Sequence, residues 1–214
     1  ADIAKYQGVY DQGWDQLRDE RFARMLEMGL IRPEWELSEA YPDTPWEDAE
    51  LKDWHAACME VYAAMIDNMD QGIGRILQAL EESGELDNTL IVIISDNGAS
   101  AEGGVHGTFN EALFFNNVEE TLADNLKYYD EWGWTWAGDT PFRRWKRETY
   151  RGGVSDACMV FWPEGIKASG ELRTQYAHAV DLVPTILEAL DIEAPAMIRG
   201  VPQSPVQGLS FAHS

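Results

Sequence analysis

Residues 89–95 read Thr-Leu-Ile-Val-Ile-Ile-Ser, an unbroken run of β-branched and aliphatic side chains. A strand with one wet face alternates apolar with polar residues, so a run without alternation predicts a central strand covered by helices on both sides. The stretch before it carries Val61, Met65, Met69, Ile73, Ile76 and Leu80 at three- and four-residue steps. That period predicts an amphipathic helix over 53–83 whose Met and Ile stripe packs into the core, with Gly84 ending it. Leu86, Asp87 and Asn88 supply the turn between helix and strand. Helix, short turn and buried strand is the repeating unit of an open α/β sheet with helices on both faces, which is the predicted fold class.

The remaining segments divide around that unit. Residues 1–52 are polar and aromatic and predict a helix near 15–28 that stops at Gly29, then a loop holding Pro33, Pro42 and Pro45. This segment reads as an excursion outside the core. Residues 53–98 carry the helix and strand. Residues 99–150 form a long aromatic region with Gly103, Gly104, Gly107, Trp132, Trp134, Trp136 and Trp145. A connection of that length is functional or holds small elements of its own. Residues 151–214 predict a strand at 158–162, stopped by Pro163, and a helix with Asp181 as N-cap and Pro184 in its first turn.

Composition excludes some partners. Sixteen basic against 38 acidic residues give a formal charge of −22, which disfavours nucleic acid and anionic membrane surfaces alike. No run is long enough to span a bilayer, and the start of the chain carries no signal-peptide pattern. Cys58 and Cys158 form neither a disulfide framework nor a paired zinc set and are expected as buried free thiols.

The chemistry-bearing point is Asp96-Asn97-Gly98, directly after the apolar run. Ligands of open α/β sheets gather at the carboxyl ends of strands, where the chain turns. Asp96 offers a carboxylate and Asn97 a carbonyl oxygen, hard donors suited to Ca²⁺ or Mg²⁺. By itself the tripeptide reads first as a common turn sequence, and two oxygens leave a shell of about six to eight ligands unfilled.

Longer stretches are more specific. EVYAAMIDNMDQGIGRILQALEESGELDNTLIVIISDNGASAEGG, GTFNE, TPFRRWKRETYRGGVSD, FWPEGI, YAHAVDLVPTILEALDI and IRGVPQSPVQGLSFA follow one another in order over almost the whole chain. Together they strongly resemble the bacterial arylsulfatases of the alkaline-phosphatase-like superfamily. The resemblance implies a three-layer alkaline-phosphatase-like sheet, present as the later part of one catalytic domain. It implies hydrolysis of a sulfate monoester around one divalent cation, Ca²⁺ before Mg²⁺, with a formylglycine made from the cysteine of a Cys-x-Pro-x-Arg motif. Asp96 and Asn97 match the family's metal pair, and Lys146 falls where the family places a sulfate-contacting lysine. Five basic residues, Arg143, Arg144, Lys146, Arg147 and Arg151, stand against Glu148 alone in 143–151, a local excess that fits an anion in so acidic a chain. The bland alternative for Lys146 is one more member of that basic run.

Neither cysteine stands in Cys-x-Pro-x-Arg, so the implied nucleophile has no candidate here, and the isolated chain is expected to be inactive and to self-associate through uncovered apolar surface. The expected partner of the complete enzyme is a small-molecule or glycan sulfate ester. Two alternatives stay open: a phosphate or phosphonate monoester hydrolase of the same superfamily, and a non-catalytic calcium- or glycan-binding remnant. His106 and His178 are read as a loop histidine and a structural histidine. Trp132, Trp134 and Trp136 could line an aryl or sugar pocket or pack beneath the long loop.

Overall fold

In the computed structural model, residues 1–39, 45–101 and 133–212 are described. They form two units, Ala1–Lys167 and Ala168–Ser214.

In the first unit, helix α1 (Gly13–Glu27) ends at Gly29, whose φ of 70° gives the left-handed stop expected of it. Helix α2 (Lys52–Ser83) ends at Gly84 in the same way. Strand β1 (Ile91–Ile94) follows, then the short helices α3 (Gly133–Gly138) and α4 (Arg151–Val154), and strand β2 (Cys158–Phe161). β1 and β2 pair antiparallel, from Ile91 opposite Phe161 to Ile94 opposite Cys158.

The core lies elsewhere than the sequence suggests. Trp14, Ala49, Trp136, Ala137 and Trp145 form the buried cluster, with Leu17, Trp46, Ala101 and Trp134 packed against it. Trp14 meets Trp46 and Trp134 edge to face at centroid distances of 4.6 and 5.7 Å. The segment read as an excursion therefore supplies Trp14, 1% exposed, to the core.

Two expectations of cover are corrected among the described residues. Ile91 and Val92 are half-buried while Ile93 and Ile94 are exposed, and β2 is exposed throughout. The sheet holds two antiparallel strands, and helices covering both of its faces are not found. On α2 the buried positions are His55, Ala56, Ala63 and Ala64. Met65, Met69 and Ile76 of the predicted core stripe are 65%, 56% and 63% exposed. The start of the first unit is tied to α2 by polar contacts: the Lys5 ammonium and the Tyr6 hydroxyl donate to Asp67 at 2.7 and 3.1 Å, and the Gly8 N–H to Glu60 at 2.7 Å. Apolar periodicity states a demand for burial without naming what meets it.

In the second unit, a 3₁₀ turn (Ala179–Asp181) leads into α5 (Leu182–Ala189), and β3 (Met197–Ile198) pairs antiparallel with β4 (Val201–Pro202). Asp181 is the N-cap of α5, as the sequence predicts, and the 3₁₀ turn before it carries a cap of its own. His178 Nδ1 accepts the Val180 N–H at 3.2 Å, and the Asp181 carboxylate accepts the His178 N–H at 2.8 Å, a reciprocal capping box. Asp181 also accepts the Leu209 N–H, and these two bonds, Leu209 first, hold its pKa below the usual carboxylate range. His178 is thus structural. No helix among the described residues is long and apolar enough to cross a membrane.

Candidate functional site

β1 delivers Asp96 and Asn97 to the turn that follows it, with Asp96 exposed and Asn97 half-buried. Three backbone contacts then fix the loop against residues 139–153. The Ala99 N–H donates to Asp139 Oδ1 at 2.8 Å, the Lys146 N–H donates to the Ala99 carbonyl at 3.0 Å, and the Gly98 N–H points to the Gly153 carbonyl at 3.5 Å. A Cβ on residue 98 would overlap the Gly152 carbonyl oxygen, so only glycine lets these two backbones pass. The chain distance of about fifty positions between Asn97 and Lys146 is closed by these bonds.

The lysine segment is itself contorted. Arg144 and Arg147 have φ of 69° and 81°, left-handed values that non-glycine residues seldom adopt. Such conformations cost energy and persist where surrounding structure over-determines them. Just before this segment, Arg18 of α1, fully buried, donates to the carbonyls of Trp136 (2.7 Å), Pro141 (3.1 Å) and Phe142 (3.1 Å) and lies 4.0 Å over the Trp136 ring. Burial pulls its pKa down to about 10, which leaves it a cation at neutral pH. The Ser38 hydroxyl accepts from Arg18 at 2.6 Å and donates to the Phe142 carbonyl at 3.1 Å, so residues 35–38 are stitched to the same strand of chain.

Two further carboxylates, Asp139 and Asp156, have raised pKa values, chiefly through burial. Burial, then the charge of Asp96, raises the pKa of Asp156. Burial, opposed by the Ala99 N–H and reinforced by Asp156, pushes Asp139 up to about 6. Its Oδ2 is buried without a hydrogen-bond partner among the described residues. Carboxylate oxygens are hard donors by type, the kind that Ca²⁺ or Mg²⁺ takes. Their number does not complete a shell, since no cluster of three or more His, Cys, Asp or Glu is placed to hold a metal among the described residues.

Other expectations fall differently. Trp134 and Trp136 belong to the tryptophan core, not to a pocket wall. Cys58 is half-buried and Cys158 exposed, with burial raising both thiol pKa values. His106, Trp132 and the Gly107–Glu111 stretch lie outside the described residues. Asp139 and Arg18 went unremarked in the sequence, because in a chain with 38 acids and 16 bases no local pattern singles them out.

Comparison with known proteins adds an independent line. The family model described as Sulfatase matches residues 3–192. An arylsulfatase of Klebsiella aerogenes is 29% identical over 217 residues, covering 98% of this chain and 46% of that protein. An uncharacterised sulfatase of Schizosaccharomyces pombe is 34% identical over 206 residues, covering 90% of this chain and 36% of that protein. An N-acetylglucosamine-6-O-sulfatase of Bacteroides thetaiotaomicron is 25% identical, covering 82% of this chain and 26% of that protein. The chain thus spans less than half the length of these relatives.

Proposed function

This chain belongs to the sulfatase family, and on that premise we propose that it forms one side of a site that hydrolyses sulfate monoesters, with Asp96 and Asn97 as metal ligands and Lys146 as the sulfate-binding cation. The observation that carries the reading is the tie between the Asp96–Ala99 loop and the lysine segment, through the Lys146 N–H to Ala99 carbonyl bond of 3.0 Å. Two sequence-distant motifs of opposite charge preference meet there.

Each side chain has a physical task in this reading. The Asp96 carboxylate and the Asn97 carbonyl would hold a divalent cation, Ca²⁺ with Mg²⁺ as the alternative, which when bound would supply Lewis acidity toward sulfate oxygens. Lys146 places a compact positive charge beside the sulfate and offsets charge gathering on the leaving oxygen. Asp139 fixes the Ala99 N–H and with it the loop's register. Arg18 fixes the carbonyls leading into Arg143–Lys146. The reading assigns the formylglycine nucleophile to neither Cys58 nor Cys158, since neither stands in Cys-x-Pro-x-Arg. The substrate class is a small-molecule or glycan sulfate ester.

The test is turnover of an aryl sulfate and the matching aryl phosphate by the protein containing this chain. Sulfate turnover that falls by about a hundredfold or more in Asp96→Ala and in Lys146→Ala, with folding retained, is the expected result. Equal rates in wild type and Asp96→Ala remove the metal assignment, and preference for the phosphate moves the reading to the phosphate hydrolases of the superfamily.

A further inference from the structure

Beside the lysine segment lies a cleft of about 400 Å³ whose walls include Trp35, Glu36, Phe142, Arg143, Tyr150 and Arg151. Trp35 comes from the N-terminal segment, and Ser38 and Arg18 stitch that wall to Pro141 and Phe142. The Arg151 guanidinium stacks 5.2 Å over Trp35 and 5.8 Å over Phe142, and Arg143 lies 5.2 Å over Tyr150. Among the described residues neither arginine makes an ion pair. An arginine stacked on a ring is held by its face while the N–H fork at its edge stays available for a bidentate oxyanion. Rigid guanidiniums of this kind bind sulfate or carboxylate with less ordering cost than a free surface arginine.

The cleft is coupled to the proposed catalytic loop through backbone. The Gly152 N–H donates to the Arg143 carbonyl at 3.2 Å, which pins the two arginine-bearing stretches together, and the Gly152 carbonyl is the atom against which Gly98 packs. One acid, Glu36, faces two arginines in this cleft, while the whole chain has more than twice as many acids as bases. Such a reversal of sign at one aromatic-lined hollow is what a site for an anionic ligand requires.

We infer that this cleft is a second anion site, which binds a sulfate or carboxylate group of the substrate other than the ester being hydrolysed. The inference rests on the sulfatase reading above and narrows the substrate to molecules with at least two anionic groups. The aromatic walls accept the sugar or aryl body that joins those groups.

The test uses the protein containing this chain and two matched pairs: a saccharide bearing one sulfate against the same saccharide bearing two, and an aryl sulfate against the same compound with an added carboxylate. For wild type the dianionic member of at least one pair is expected to have a kcat/KM about tenfold higher, carried by KM, as suits one charge-assisted contact. The pair that shows the advantage tells sulfate from carboxylate. Arg151→Gln and Arg143→Gln are each expected to reduce that advantage at least about fivefold, and Arg151→Lys to restore it only in part, because the ammonium lacks the fork. A wild-type enzyme without preference, or a preference untouched in a folded Arg151→Gln variant, overturns the inference. Calorimetric binding of the disulfated saccharide separates the two readings. If no ester is hydrolysed but that binding weakens about tenfold in Arg151→Gln, the hydrolase reading fails and the anion site stands; binding equal in variant and wild type overturns the site.

Discussion

The carbonyl oxygen of Gly152 occupies the place that a Cβ on residue 98 would need, so positions 98 and 152 meet as bare backbone. A Cβ at 152 would in turn run into the carbonyl of Arg144. The loop bearing Asp96 and Asn97 is therefore seated on the segment bearing Lys146 by contacts that tolerate no side chain.

Gly98→Ala must push these backbones apart. The expected outcome is a loss of about 1–3 kcal/mol in a thermal or denaturant melt, with aryl sulfate turnover falling further than stability alone explains. A variant with unchanged melt and rate would contradict the packing described.

Arg18→Met removes the donor that serves three carbonyls in a buried setting. Each carbonyl left unsatisfied costs about 1–3 kcal/mol, so unfolding free energy is expected to drop by roughly 3 kcal/mol or more. Arg18→Lys is expected to recover little, since one ammonium cannot span the carbonyls and stack on Trp136 at once. Near-wild-type urea midpoints for both variants would sink this account.

Asp139 titrates at about 6 in the folded chain against an ordinary value of 3.8, chiefly because of burial, with Asp156 adding and Arg21 and Arg18 opposing. The folded state then holds its proton more tightly than the unfolded state. Stability from this group is full below about pH 3.8 and is lost as pH rises through about 6. Asp139→Asn keeps an acceptor for the Ala99 N–H and removes the buried charge. It is expected to melt higher than wild type near pH 8, by on the order of 1 kcal/mol after allowance for partial exposure, and to match it near pH 4. Parallel melting curves across that range would refute the titration.

Arg147 holds a φ of 81° with its side chain exposed. Arg147→Gly should therefore be more stable than Arg147→Ala, by about 1 kcal/mol, because glycine alone adopts that backbone without strain. The reverse order in a denaturant series would show that the left-handed conformation is absent in solution.

On α2, Tyr62, Met65, Ile66, Met69 and Ile76 are all exposed apolar side chains. Expressed by itself, the chain is expected to elute from a sizing column ahead of its 24.2 kDa monomer position, and Met65→Glu with Met69→Glu to move it back. A monodisperse wild-type monomer would rule this out.

Much of the local structure was legible in the residues. The three- and four-residue spacing from Val61 to Leu80 and the stop at Gly84 located α2, and Pro163 marked the end of β2. Family membership was also legible, because long ordered motifs carry more information than any single tripeptide. The N-cap of α5 at Asp181 was legible too, whereas the reciprocal capping box of His178 and Asp181 on the preceding 3₁₀ turn was not, since it exists only in the folded geometry.

The sequence by itself determined that α1, α2, β1, β2 and α5 form where they do, while the short elements α3, α4, β3 and β4 were not read from it. The five that were read depend on neighbours within a few positions, where period and turn chemistry act directly. Tertiary structure decided the rest: that Trp14 and Arg18 belong to the core, that Gly98 lies on Gly152, that Asp139 faces Ala99, and that Trp35 meets Arg151. Each of these pairs two positions at least 40 apart in the chain, or a residue with a core assembled from such positions, and their meeting follows from the sum of packing and hydrogen bonding over a whole unit.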